Sequence, residues 1–176
     1  TKGYLVRLGE ISQQALKEMR LLVYELRPLA LRESGLEGAL QQRLDAVERR
    51  AGIDAQLVVE GELYLSDEVE ETLFRIAQEA LNNALNHGTP TEVAVTIRSQ
   101  GEPPKQQITL EVSDDGQGFD LSSTIDRGGI GVASMRERAE KLGGQFLIRS
   151  APGEGTRVTV SLPLAPPSSE SYKEVT

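Results

Sequence analysis

Several residues in this chain have types and spacings that could do chemistry. Glu79, Asn83 and His87 recur at intervals of four, which on an α-helix lines up a carboxylate, a carboxamide and an imidazole on one face. An amide oxygen is a hard neutral ligand suited to Mg²⁺, and a carboxylate one turn away could accept a proton or order a water. Taken alone, a solvated polar face explains the same triplet. Asp114-Asp115-Gly116-Gln117-Gly118-Phe119 follows an apolar alternating stretch. Its alternate glycines allow the backbone to approach a flat ligand, and its first Asp could accept from an exocyclic amine. An ordinary glycine turn is the competing explanation. Gly128-Gly129-Ile130-Gly131 leads into a helical pattern, and bare amides at a helix start favour anions, phosphates above all. The spacing is neither that of a P-loop nor of a dinucleotide fingerprint. Gly153-Glu154-Gly155-Thr156 opens the last apolar stretch and offers a hydroxyl at a sheet end, although a hairpin turn alone accounts for it.

The elements that must position these groups can be read from periodicity. Leu8, Ile11, Ala15, Met19, Leu22 and Leu26 form the seam of a helix that packs on another helix, stopped by Pro28. A second helix is predicted from Leu36 to about Ala51, capped by Gly52. Residues 56–60 read as a short strand. Ser66 is placed to cap a long helix from Asp67 to about His87, with Val69, Leu73, Ile76, Ala77, Ala80, Leu81 and Ala84 as its core stripe and Gly88 and Pro90 as its stop. Strands are predicted at 92–98, 107–113, 145–149 and 157–162, with a helix over 132–142.

Composition narrows the classes. With 176 residues, no Cys and a single His, the chain is long enough for a core without disulfides and excludes thiolate chemistry and a His-rich zinc site. A net charge of −8 without clustered Lys/Arg argues against direct nucleic-acid binding. No apolar run approaches the roughly 18–20 residues of a membrane span. Of 17 glycines, nine (Gly116, Gly118, Gly128, Gly129, Gly131, Gly143, Gly144, Gly153 and Gly155) crowd into residues 116–155, so that region needs bare backbone.

In combination and in this order, the motifs resemble the ATP-binding domain of sensor histidine kinases, within the wider GHKL ATPase superfamily. Gln78-Glu79-Ala80-Leu81-Asn82-Asn83-Ala84 with His87 is similar to the N box of that family, Asp114-Asp115-Gly116-Gln117-Gly118 to its first glycine box, and Gly129-Ile130-Gly131 to its second. Glu25-Leu26-Arg27-Pro28, Met135-Arg136-Glu137-Arg138-Ala139 and Leu142-Gly143-Gly144 resemble the subfamily of nitrate-sensor and DesK-like kinases, which signal to helix-turn-helix response regulators. The resemblance runs from about residue 8 to Leu164.

It implies an α/β two-layer sandwich, with a mixed, mostly antiparallel sheet and helices on one face (the Bergerat-type ATP-binding fold), preceded by a helical dimerisation segment. The implied division is residues 1–30 as the second helix of a dimerisation hairpin, 31–164 as the catalytic ATP-binding domain and 165–176 as a disordered tail. Glu79 would be the polarising catalytic carboxylate. Asn83 would hold the Mg²⁺ that bridges the ATP phosphates, with His87 close to them. Asp114 would accept from the adenine amine, Gly116 and Gly118 would shape the pocket floor, and Thr156 would hydrogen-bond near Asp114. Gly129 and Gly131 would cradle phosphates, and residues 119–128 would form a short lid. The implied activity is transfer of the ATP γ-phosphoryl to a His on an upstream helix, for relay to a response regulator, in a cytoplasmic homodimer joined through the N-terminal helix. The sole His falls in the N box, so the chain is expected to bind nucleotide without autophosphorylating alone. An ATP-gated dimerisation or ATPase module is the alternative, and a kinase acting on Ser of a partner is a third; the N-terminal seam and the Met-Arg-Glu-Arg stretch favour the histidine kinase.

Overall fold

The computed structural model describes residues 28–102, 104–120 and 130–164. The predicted seam Leu8–Leu26, most of the lid, Gly128, Gly129 and the tail from residue 165 lie outside the described residues.

Helix α1 (Leu29–Ala51) begins on Pro28, whose carbonyl accepts from the amides of Leu31 and Arg32 at 3.0 and 3.3 Å. It is interrupted at Gly35 (φ 64°, ψ −174°), so the predicted start at Leu36 marks the point where the helix resumes. The preceding turn was not expected because it carries only one fully buried leucine, Leu31, too little to show a period. The expected division between residues 30 and 31 falls inside this first turn. Gly52 ends the helix in the left-handed conformation, its amide returning to Glu48 O at 2.9 Å, as expected of a glycine just beyond a helix.

Strand β1 (Asp54–Glu60) runs parallel to β2 (Glu92–Gln100), and a parallel pair needs a crossover. Helix α2 (Asp67–Asn83) supplies it. Ser66 caps that helix by accepting from Val69 N at 3.4 Å, and Asp67, Glu68 and Glu70 sit against the positive end of its dipole. The chain then continues into a π-helical turn, Ala84–Gly88, where an α-helix to His87 was predicted. Strand β3 (Gln107–Asp114) pairs antiparallel with β2, helix α3 (Ile130–Lys141) follows, and β4 (Gln145–Ser150) and β5 (Thr156–Pro163) close the sheet.

The five strands are ordered β1-β2-β3-β5-β4. Alternation decides which face is covered. Val93, Val95, Ile97, Ile108, Leu110, Val112, Val158, Val160 and Leu162 are buried on one face, whereas Thr96, Thr109, Glu111, Thr159 and Ser161 between them are half-buried on the other. The helices cover the apolar face with Leu40 and Leu44 of α1, Leu73, Ile76 and Leu81 of α2, and Met135 and Ala139 of α3. This is the expected two-layer sandwich. Because sequentially distant β3 and β5 are neighbours at the centre of the sheet, the ends of both strands arrive beside the end of α2 and the start of α3.

Candidate functional site

A cleft of about 380 Å³ opens where these ends meet. Its walls are the last turns of α2 with the π turn, and the first turns of α3. Its floor is apolar, made of Val112, Val158, Ile148 and Met135, and its polar groups are few: Asn83, His87, Asp114 and Thr156. An apolar slot with a handful of convergent polar groups suits a flat heterocycle with a polar extension.

Asp114 is the last residue of β3 and is held from both sides. Its Oδ1 accepts from Gly116 N at 2.9 Å, and the Thr156 amide also donates to it. Burial nonetheless pushes its carboxyl above the ordinary value of 3.8, and these two amides counter the shift only in part. Such a group presents a strong acceptor to any donor entering the slot, which also relieves its desolvation.

The glycines explain how loop backbones come so close to this carboxyl. Gly118 lies on the cleft at φ 59°, and a Cβ there would run into Ala151 O and lie 2.7 Å from Gly155 O. A Cβ on buried Gly116 would lie 2.5 Å from Gly88 O and 2.8 Å from Asp114 Oδ1. Gly116 therefore stands behind Asp114 and does not itself line the cleft. Gly131, in the first turn of α3, is on the cleft, and the Glu79 carboxylate packs directly against its Cα.

Of the sequence-predicted residues, Asn83, His87, Asp114, Gly118, Gly131 and Thr156 share this cleft. Glu79 does not line it; its carboxylate lies against Gly131. Asn83 ends α2 and exposed His87 lies in the π turn, whose wider winding departs from the four-residue face assumed for the triplet. Gly129 is outside the described residues.

Two positioning residues escaped the sequence reading. Ser150, at the end of β4, accepts from Phe119 N at 2.9 Å, donates to Gly155 O at 2.9 Å and lies 3.2 Å from Thr156 Oγ1. The Thr156 hydroxyl is thus turned to Ser150, while its amide serves Asp114. Asp115 is exposed, yet its carboxylate accepts from Thr91 Oγ1, Thr91 N at 2.8 Å and Glu92 N at 2.9 Å. These bonds, the Thr91 hydroxyl foremost, hold it below the usual carboxylate range. A serine before a Pro-Gly turn and the second Asp of a pair carry no local signal of such roles, because their partners are set by strand register.

The fold is a two-layer α/β domain with a ligand-sized cleft at the strand ends. The chain matches the family described as histidine kinase-, DNA gyrase B- and HSP90-like ATPases over residues 68–166, and it belongs to that family. It is 34% identical over 168 residues to a sensor-like histidine kinase of Chloroflexus aurantiacus, which covers 91% of this chain and 28% of the relative. It is 35% identical to the histidine-protein kinase/phosphatase DegS of Brevibacillus brevis (89% of this chain, 40% of the relative). To the sensor histidine kinase LiaS of Bacillus subtilis it is likewise 35% identical, over 92% of this chain and 43% of the relative. The chain therefore spans well under half the length of these relatives. In fold it resembles the histidine kinase domain of a blue-light-activated kinase from Erythrobacter litoralis, with a TM-score of 0.59 over 73% of this chain and 61% of that one, at 24% identity.

Proposed function

We propose that this chain is the ATP-binding catalytic part of a two-component sensor histidine kinase. The observation that carries the reading is a cleft that gathers the N-box residues Asn83 and His87, the Asp114 carboxyl and the start of α3 around an apolar floor. Adenine would lie on Val112, Val158, Ile148 and Met135, with its exocyclic amine donating to Asp114. The raised Asp114 carboxyl supports this, because an incoming N–H supplies the hydrogen bond that burial has taken from it.

The phosphates would extend toward Asn83 and the N-terminal turn of α3, where free amides favour negative charge. Among the described residues, no group of three or more His, Asp or Glu stands together as a metal cluster. Mg²⁺ would therefore rest on the Asn83 carboxamide oxygen and on the nucleotide's own phosphates, a mode this ion favours, and would neutralise charge on the phosphoryl being transferred. Glu79, whose carboxylate lies against Gly131 in the first turn of α3, would orient the attacking imidazole or take its proton.

The reaction we assign is attack of an imidazole nitrogen, on a helix upstream of the domain, at the γ-phosphorus. An N–P bond forms, the bond to the β-phosphate oxygen breaks, ADP leaves, and the imidazole proton passes to a base. A response regulator with a helix-turn-helix output would then take the phosphoryl group, and the whole protein would act as a cytoplasmic homodimer joined through its N-terminal helix. A chain carrying the upstream helix, given γ-labelled ATP and Mg²⁺, is expected to yield acid-labile, base-stable phosphohistidine. No label on well-folded protein refutes the assignment.

A further inference from the structure

The two ends of the cleft are built on loops far apart in sequence. The Asp114 end is the 114–118 loop, and the Asn83 end is the close of α2 with its π turn. A row of hydrogen bonds ties one to the other outside the cleft. Asp115 binds both amides and the hydroxyl of the Thr91-Glu92 segment that leaves the π turn, and Asp115 N returns to Glu92 O at 3.3 Å. Gln117 N donates to Gly88 O at 2.8 Å, and its Nε2 lies 3.2 Å from Thr89 Oγ1. Between them Thr89 is held at φ 45°, ψ 52°, a conformation a β-branched residue adopts only when its surroundings impose it. Pro90 follows it and further disfavours that state.

From this latch we infer that Asp115 is a positioning residue, which holds the π turn, and with it Asn83 and His87, in register with the adenine-recognition carboxyl of Asp114. The inference rests on the ATP-binding reading of the cleft. Asp114 keeps its own ties to the Gly116 and Thr156 amides, so releasing Asp115 leaves the adenine side in place and loosens the phosphate-side wall, which keeps only the Gln117 bonds to Gly88 and Thr89. The lowered Asp115 carboxyl agrees with the geometry: its hydrogen bonds favour the charged acceptor.

The test separates the two ends of one ligand. Dissociation constants for ATP with Mg²⁺ and for adenosine alone are measured on the whole chain by calorimetry, for the wild type and for Asp115→Ala, Asp115→Asn and Thr91→Val. With the charge-assisted acceptor gone, Asp115→Ala is expected to weaken ATP about ten-fold. Adenosine should stay within about two-fold of the wild type. Asp115→Asn keeps an oxygen for the two amides and should recover most of the loss. Thr91→Val removes only the hydroxyl bond and should move ATP in the same direction by a smaller factor, which also serves if the alanine variant does not fold. Equal losses for ATP and adenosine, or none for either, overturn the inference. If adenosine binds the wild type but ATP with Mg²⁺ binds no tighter, the phosphate-side reading itself fails, and a wild type that binds neither ligand refutes the ATP reading of the cleft.

Discussion

Gly118→Ala isolates what close backbone approach contributes to this cleft. Gly118 sits at φ 59°, and an added Cβ would meet two carbonyl oxygens, those of Ala151 and Gly155. Both belong to backbone and cannot swing aside as a side chain would. The left-handed conformation alone disfavours an L-residue by about 1–2 kcal/mol, and overpacking adds about 1–3 kcal/mol, for a total of about 2–5 kcal/mol. Against the usual 5–15 kcal/mol of a domain this is a large fraction. At about 4 °C per kcal/mol, the expected fall in Tm is about 8–20 °C. Gly153 is the control, because it has φ 83° and nothing within 4 Å of a built Cβ. Gly153→Ala should therefore show the conformational part alone, about 1–2 kcal/mol. Urea unfolding followed by circular dichroism compares the two, and ATP titration of the folded fraction shows whether the loop still closes on the ligand. A Gly118→Ala variant no less stable than Gly153→Ala refutes the clash argument.

Further outcomes follow from the same geometry. Asp114→Asn exchanges a charge-assisted acceptor for a neutral one and should weaken ATP by about 1.5–3 kcal/mol, roughly 10- to 150-fold, while narrowing the preference for adenine over guanine; equilibrium dialysis with both nucleotides measures it. The same variant tests the pH linkage. Burial raises the Asp114 carboxyl, so its contribution to stability is full below the unfolded-state value and is lost as pH rises through the folded-state value; the stability of Asn relative to Asp should grow as pH rises from about 4 to about 7, read from Tm across that range. Asn83→Ala should remove the Mg²⁺-dependent part of ATP affinity and leave adenosine binding within about two-fold, by calorimetry with and without Mg²⁺. Gly131→Ala pushes a methyl into the Glu79 carboxylate, a flexible group that can move away, so Tm should change by less than about 5 °C while phosphoryl transfer, measured on a chain that carries the upstream helix, falls; a transfer rate equal to wild type would show that Glu79 has no role there.

The fold was legible wherever burial is one-sided. The strands β2, β3 and β5 were placed from their sequence pattern, and Ser66 and Gly52 marked helix ends through their own capping chemistry. The stretch from Leu29 to Ser34 was not legible, because one buried leucine has no period and Gly35 hides the continuity of α1. Asn83, Asp114 and Thr156 stood out as candidates because they lie in short motifs whose residue types are unusual for plain turns. Ser150 and Asp115 did not, since each acts on partners between 5 and 31 residues away that only the loops and strand pairing bring near.

What the sequence determined by itself was the set of elements and the identity of the chemically able groups, because periodicity, caps and glycine spacing are local properties. The tertiary structure decided which of those groups face one another. The β3–β5 pairing set Thr156 opposite Asp114, and it was the packing of α3 on α2 that put Gly131 against Glu79. A π turn, and not the predicted last turn of α-helix, carries His87 to the cleft it shares with Asn83. Each of these depends on contacts across many residues of chain, whose loop-closure entropy is offset only when the whole core forms, so no window of sequence carries them.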